Sequence, residues 1–354
     1  MRIKTKKIIM VALMAVLSLS LVLSGCAPKE TTPSTSTNPG ASTSQSQGGS
    51  EKKNFALGAN IKAFANVYCV EAIEGIKKGL ADYNAEHGEN HTITWTDGQN
   101  DQQREINNME DLVNQNVDGV IMLGRDPVSS ENAMMIPINK GIPLVIIDSY
   151  INNYEKADAV ILSDNKAIGA LQMEKLAEAC GGKGNLVIFI DSTNANSKLR
   201  SDGMYEVLKK YPDIKLVHME DGISGVDGGL NAFQNIMQMY QEIDMVWSMS
   251  DSLSQGIISA ITGSELEGKC VVSGVNGSRV ACELIKKGEQ YGSAAQFPFK
   301  MGEEGVKLLI EILKGNKPAD DKKITMLQGE WIDKSNVDKF LDEVYGYEPT
   351  VSTK

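Results

Sequence analysis

GIPLVIIDSY (residues 141–150) and AVILSDN (159–165) decide how the rest of the chain is read. Ile142 to Ile147 is a continuous apolar run, too short for a helix, with Pro143 near its start. Such a run is the mark of a strand buried on both faces of a parallel sheet. It ends on a carboxylate, Asp148. Ligands of open α/β sheets bind outside the carboxyl ends of the strands. The second run, Ala159 to Leu162, ends on Ser163-Asp164-Asn165 and starts a helix. The first run is read as the last strand of one lobe's first pass, and the second as carrying the chain into another lobe. A small polar molecule is expected between the two.

Working outward, strands and helices alternate on both sides of this stretch. Before it come strands over 55–59, 91–96 and 117–123, with helices over 66–87, 102–116 and 130–140. The first helix carries apolar residues at Val70, Ile73, Ile76, Leu80 and Tyr83, close to a 3.6-residue period. After it, strands are expected over 186–190, 214–219, 243–249, 270–275 and 293–296. Helices are expected over 168–180, 197–211, 229–240, 252–262, 278–287, 301–313 and 336–344. Residues 323–331 read as one extended segment. The alternation predicts an α/β protein with two doubly wound parallel-sheet lobes.

The 354-residue length fits two domains, and 42% hydrophobic residues fill two cores. A formal net charge of −11 argues against nucleic acid as a partner, because phosphate binding needs a basic face. The five cysteines (Cys26, Cys69, Cys180, Cys270, Cys282) form no C-x-x-C pair, and with three histidines they do not suggest zinc. Cys69, Cys180, Cys270 and Cys282 are read mainly as buried free thiols, although spacing alone leaves disulfides open. No cofactor or metal is expected.

The chain's start has its own organisation. Arg2, Lys4, Lys6 and Lys7 precede an apolar stretch from Ile8 to Leu23. That stretch is shorter than the roughly 20 residues of a spanning helix. It ends in Leu23-Ser24-Gly25-Cys26, which resembles a bacterial lipobox with Cys26 as the lipidated residue. Residues 1–26 are therefore expected to be a lipoprotein signal. Residues 27–53, rich in Ser, Thr, Gly, Pro and Gln, are expected to form a disordered tether.

From Phe55 to about Leu341 the layout resembles the type 1 periplasmic sugar-binding proteins, the ribose- and galactose-binding group that serves ABC importers. The likeness is carried by six segments in order. They are Val117-Asp118-Gly119-Val120-Ile121, Gly141-Ile142-Pro143 running into Asp148, Ser163-Asp164-Asn165, Arg200 with Gly203, Ser273-Gly274-Val275-Asn276-Gly277, and Gln296 with Pro298. The resemblance implies two lobes crossed three times, near Leu162, Gln296 and Met326. One lobe would hold 54–162 plus 297–326 and the other 163–296 plus 327–345, with 346–354 as a tail.

The resemblance also implies a ligand site. Asn66 and Tyr68 fall where the family has Asn and an aromatic ring, with Val67 in place of proline and Phe64 as an alternative ring. Asp148 matches the family's ligand carboxylate; the next residue is Ser149, where ribose binders place arginine. Arg125, at another strand end, is a substitute guanidinium, or a surface partner of Asp126. Arg200 matches an arginine reaching in from the second lobe. Ser250, Asn276 (where the family has aspartate) and Gln296 complete the set. A second-lobe aromatic is expected near Ser224, where Gly222-Ile223-Ser224-Gly225 has no ring.

The implied function is extracytoplasmic capture of a monosaccharide by a lipid-anchored monomer, with delivery to ABC permease subunits. Membrane contact would be through the lipid alone. A ligand sensor for a chemoreceptor or histidine kinase is the alternative, as is a nucleoside, polyol or quorum-signal ligand. An enzyme is not expected: His87, His91 and His218 lie in no nucleophile context, and G-x-S-x-G is absent.

Overall fold

The computed structural model describes residues 54–346. The expected signal, Cys26 and the tether lie outside the described residues, as does all of the tail after Gly346. The first half runs β1 (Ala56–Ile61), α1 (Val67–His87), β2 (Thr92–Asp97), α2 (Gln102–Asn114), β3 (Gly119–Leu123), α3 (Ser129–Asn139), β4 (Leu144–Ile147) and β5 (Ala159–Ser163). Next come α4 (Asn165–Ala179), β6 (Lys183–Ile190), α5 (Ala195–Leu208), β7 (Asp213–Asp221), α6 (Gly225–Met239) and β8 (Met245–Ser248). The second half continues through α7 (Asp251–Ile261), β9 (Val271–Asn276), α8 (Arg279–Lys287) and β10 (Gly292–Ala295). The chain closes with α9 (Pro298–Leu313), β11 (Ile324–Leu327), β12 (Glu330–Ile332) and α10 (Val337–Tyr345).

Two six-stranded sheets result, in the orders β11-β5-β4-β3-β1-β2 and β12-β10-β9-β8-β6-β7. All neighbours are parallel except β10 and β12. Every residue of β3, β4 and β5 is buried. These strands lie between helical layers, so no alternating polar face is needed. One core on the first sheet is built from Ile121, Val145 and Ile147 against Met301, Val306 and Leu309 of α9. The other face packs Val120, Met122 and Ile146 against Met109, Leu112 and Met134. The second sheet buries Trp247, Phe189 and Phe233.

One sequence reading needs correction. The run before Asp148 is not the last strand of the first pass: β5 pairs in parallel with both β4 and β11 in the same sheet. The chain leaves that sheet only after Ser163. The extended segment 323–331 divides into β11 in the first sheet and β12 in the second, with Gln328 and Gly329 between them. The chain thus passes between the sheets after β5, after β10 and after β11.

Candidate functional site

The first-sheet side of the site is set by two strand ends and one helix start. β1 delivers Lys62, and the loop beyond it ends at Asn66. The Asn66 Oδ1 accepts from the backbone N–H groups of Tyr68 at 2.9 Å and Cys69 at 3.4 Å, capping α1. The first turn of α1 then faces Tyr68 inward. β4 ends at Ile147, and Asp148 adopts a left-handed backbone, φ +63°. Aspartate tolerates that region better than most residues; the conformation still costs about 1–3 kcal/mol. Neighbouring bonds hold it: the Asp148 N–H donates to Ile161 O at 2.8 Å, and Ser149 Oγ donates to Gly124 O at 2.9 Å.

This turn aims the carboxylate inward, with Asp148 only 3% exposed. Its Oδ1 accepts from the Tyr68 hydroxyl at 2.8 Å. Its Oδ2 lies 3.8 Å from Lys62 Nζ. Burial, and then the adjacent Asp148 charge, hold the Tyr68 phenol well above its usual pKa, so it stays a neutral donor. The Lys62 ammonium also lies 5.8 Å from the centre of the Tyr68 ring.

The second-sheet side is built by two helices in close approach. A Cβ on Gly203 of α5 would lie 2.0 Å from Lys166 O, and one on Gly169 of α4 would lie 2.0 Å from Arg200 O. Only hydrogen at these positions lets the helices pack so tightly. Their contact delivers the Arg200 side chain to the start of α4. Its Nε donates to Asn165 Oδ1 at 2.7 Å, Nη1 to Met249 O at 2.6 Å, and Nη2 to Gln296 Oε1 at 2.6 Å. Gln296 Nε2 in turn donates to Asn165 Oδ1 at 3.2 Å. Arg200 is 7% exposed. Burial lowers its pKa while the Asp148 charge opposes that shift; the guanidinium remains charged.

The two sides meet. Asn196, on the first turn of α5 and four residues before Arg200, donates from Nδ2 to Asp148 Oδ1 at 3.5 Å. The structure therefore brings Tyr68, Asp148, Arg200 and Gln296 into one buried polar cluster at the first two crossings. The other sequence-derived candidates sit differently. Arg125 Nη2 is paired with Asp126 Oδ2 at 2.8 Å. The Ser250 hydroxyl accepts from Leu253 N–H at 3.4 Å as the cap of α7. Asn276 ends β9 at φ +129°, its carbonyl accepting from Gln296 N–H at 3.2 Å.

Three members of the cluster were not assigned a role from the sequence: Lys62, Asn165 and Asn196. Asn165 stands in the quoted Ser163-Asp164-Asn165 segment. Asn196 shares a helix face with Arg200 at i, i+4 spacing, a signal that the sequence carries. Lys62 had no signal beyond following a strand. A hollow of about 450 Å3 lies elsewhere, by Val117 and Ile142 at the amino ends of β3 and β4. That is the wrong end of a parallel sheet for a ligand.

The assembled groups are a carboxylate, an ammonium, a guanidinium, a phenol and amides. Together they offer donors and acceptors to a polar solute. Comparison with known proteins supports that reading. A family model described as periplasmic binding protein domain matches residues 60–317. The D-allose-binding periplasmic protein of Escherichia coli is 29% identical over 269 residues, covering 73% of this chain and 84% of that protein. The xylitol-binding protein of Mycolicibacterium smegmatis is 27% identical, covering 76% of this chain and 75% of that protein. Among solved structures, an ABC transporter solute binding protein from Bacillus halodurans with bound myo-inositol superposes with a TM-score of 0.76 at 20% identity. It covers 84% of this chain and 100% of that one.

Proposed function

The chain belongs to the periplasmic binding protein domain family, and on that premise we propose that it captures a neutral polyhydroxylated metabolite, a monosaccharide or polyol, for an ABC importer. The observation that carries this reading is the pair Asp148 and Arg200, both buried and brought into one polar cluster from different sheets. A carboxylate and a guanidinium in such a cluster suit hydroxyl groups, and each charge-assisted bond contributes about 1.5–3 kcal/mol. Relatives named for allose and xylitol support a polyhydroxylated ligand.

The two sheets with their helices act as two lobes, hinged where the chain crosses between them, and they close on the solute without transforming it. Asn66, Arg125, Asp148, Arg200, Ser250, Asn276 and Gln296 remain the proposed ligand contacts, with Lys62 added, and Tyr68 stays in the set as a neighbour of Asp148. The protein works outside the cytoplasm as a monomer, docking on permease subunits. Cys26 anchors it to the membrane through lipid. Replacing Cys26 by alanine is expected to move the protein from the membrane fraction to the soluble fraction; retention would sink the anchor.

The test of function is a thermal-shift panel of D-allose, D-ribose, xylitol, myo-inositol and nucleosides on the purified chain. A ligand at a hundred times its Kd stabilises by about 2.7 kcal/mol. At least one sugar or polyol is expected to raise the midpoint. Stabilisation by nucleosides alone would overturn the reading.

A further inference from the structure

Tyr68 falls where an aromatic ring is expected to cover a sugar face, yet its polar end is what the site uses. The ring lies in the first-sheet core beside Cys69, Ala72 and Met301, and the residue is only 9% exposed. The hydroxyl has one hydrogen to give. Asp148 Oδ1 at 2.8 Å and Met301 Sδ at 3.5 Å both lie in range. The shorter bond to a charged oxygen is the stronger. The Asn196 amide approaches the same oxygen from the facing lobe. Oδ1 is therefore taken up within the protein, while Oδ2 points toward the Lys62 ammonium.

We propose that Tyr68 is a positioning residue: its hydroxyl ties down one oxygen of Asp148 so that the other oxygen, beside Lys62, alone meets the ligand. The paired acceptor and donor fit two adjacent hydroxyls, one donating to Oδ2 and its neighbour accepting from Nζ. This inference rests on the proposed capture of a polyhydroxylated solute.

A double-mutant cycle of Tyr68→Phe and Asp148→Asn tests it, because a contact acting through a partner shows as non-additivity. Affinity is measured by calorimetry with whichever of myo-inositol, D-allose, D-ribose or xylitol binds the wild-type chain best. Thermal unfolding without added ligand runs in parallel. Tyr68→Phe keeps the ring, and is expected to weaken binding about tenfold, the size of one modest charge-assisted bond. In the Asp148→Asn background the same change is expected to cost less than twofold. Equal losses in both backgrounds, or coupling in unfolding with none in affinity, would overturn the proposal while leaving sugar capture intact. If no member of the panel binds the wild type, the capture reading fails and this inference fails with it.

Discussion

Arg200 Nη2 donates to Gln296 Oε1 at 2.6 Å, tying a helix of the second lobe to the residue at which the chain returns to the first. Through Nε the same guanidinium holds Asn165, just beyond the earlier crossing. One side chain thus braces two of the three crossings.

Arg200→Lys should therefore damage both stability and binding. A lysine ammonium cannot reproduce a planar fork reaching three acceptors. Loss of one such charge-assisted bond costs about 1.5–3 kcal/mol. The unfolding midpoint is expected to fall by several degrees, and affinity for the best-binding panel sugar to fall at least a hundredfold. Calorimetry reads both. An affinity within threefold of wild type would separate Arg200 from the site.

Gly203→Ala tests the helix approach that positions that guanidinium. The new methyl would lie 2.0 Å from Lys166 O, a backbone atom that cannot rotate away. Overpacking of this kind costs about 1–3 kcal/mol. Separating α4 from α5 also shifts Arg200 relative to Asn165. The variant is expected to unfold at lower denaturant and to bind more weakly, although residue 203 touches no ligand. Normal binding would show that the close approach is incidental to the site.

Glu71 gives a pH dependence whose sign follows from its surroundings. It sits in a pocket of about 170 Å3 between the lobes, lined by Val70, Glu74 and Phe299 on one side and Arg279, Val344 and Tyr345 on the other. Its Oε2 is buried with no hydrogen-bond partner among the described residues. The Arg279 guanidinium donates to Tyr345 O at 3.2 Å and lies over its ring, and the Tyr345 hydroxyl donates to Gly277 O, while the Tyr345 side chain and the Arg279 backbone also interact with the Glu71 carboxyl. Burial raises the Glu71 pKa from an ordinary 4.5 to about 7, with Asp251 adding to the rise and Tyr345 and Arg279 opposing it. The Cys282 thiol also feels this charge. A carboxyl raised in the folded state favours folding when protonated. Its stabilising contribution is complete below pH 4.5 and is lost as pH rises through 7. Glu71→Gln should match wild type below that range and be more stable above pH 7, as read from unfolding midpoints between pH 4 and 9. Parallel midpoints across that range would refute the assignment.

Asp251 should behave alike at lower pH, with a smaller return from substitution. Burial raises its carboxyl from an ordinary 3.8 to about 6. Here the oxygens are satisfied, accepting from Ser278 N–H at 2.8 Å and Ser293 Oγ at 2.7 Å. Asp251→Asn removes the charge but also converts one acceptor into a donor facing donors. It is expected to lower the midpoint at pH 5, where Glu71→Gln does little. A higher midpoint at pH 5 would contradict this.

The parts of the fold that were legible in the sequence are those where burial is two-sided. Val120 to Leu123 and Leu144 to Ile147 are apolar at every position because helices cover both faces of their sheet. Asp148 stood out because it ends such a run, and Arg200 because Gly203 lies three residues beyond it. Sheet membership was harder to read. Residues 323–331 look like one extended piece, since the choice of sheet depends on partners such as Val160 and Trp331's neighbour Ala294, far away in sequence. Lys62 was invisible for a related reason. A lysine after a strand reads as a solvated charge until the fold places Asp148, 86 positions later, beside it. The Tyr68 ring was legible as an aromatic, while the target of its hydroxyl depended on the same long-range placement.

The late return of the chain bears on the order in which the molecule can be made. Met301, Val306, Leu309 and Ile310 of α9 seal the core of the first lobe, yet they emerge only after five of the six strands of the second sheet. Burying such side chains contributes about 1.5–3 kcal/mol each, so together they match the whole net stability of an ordinary domain. A nascent chain that has emerged only as far as residue 296 therefore carries an unsealed first lobe. Until the last sixth of the polypeptide arrives, that lobe lacks the burial that would hold it folded.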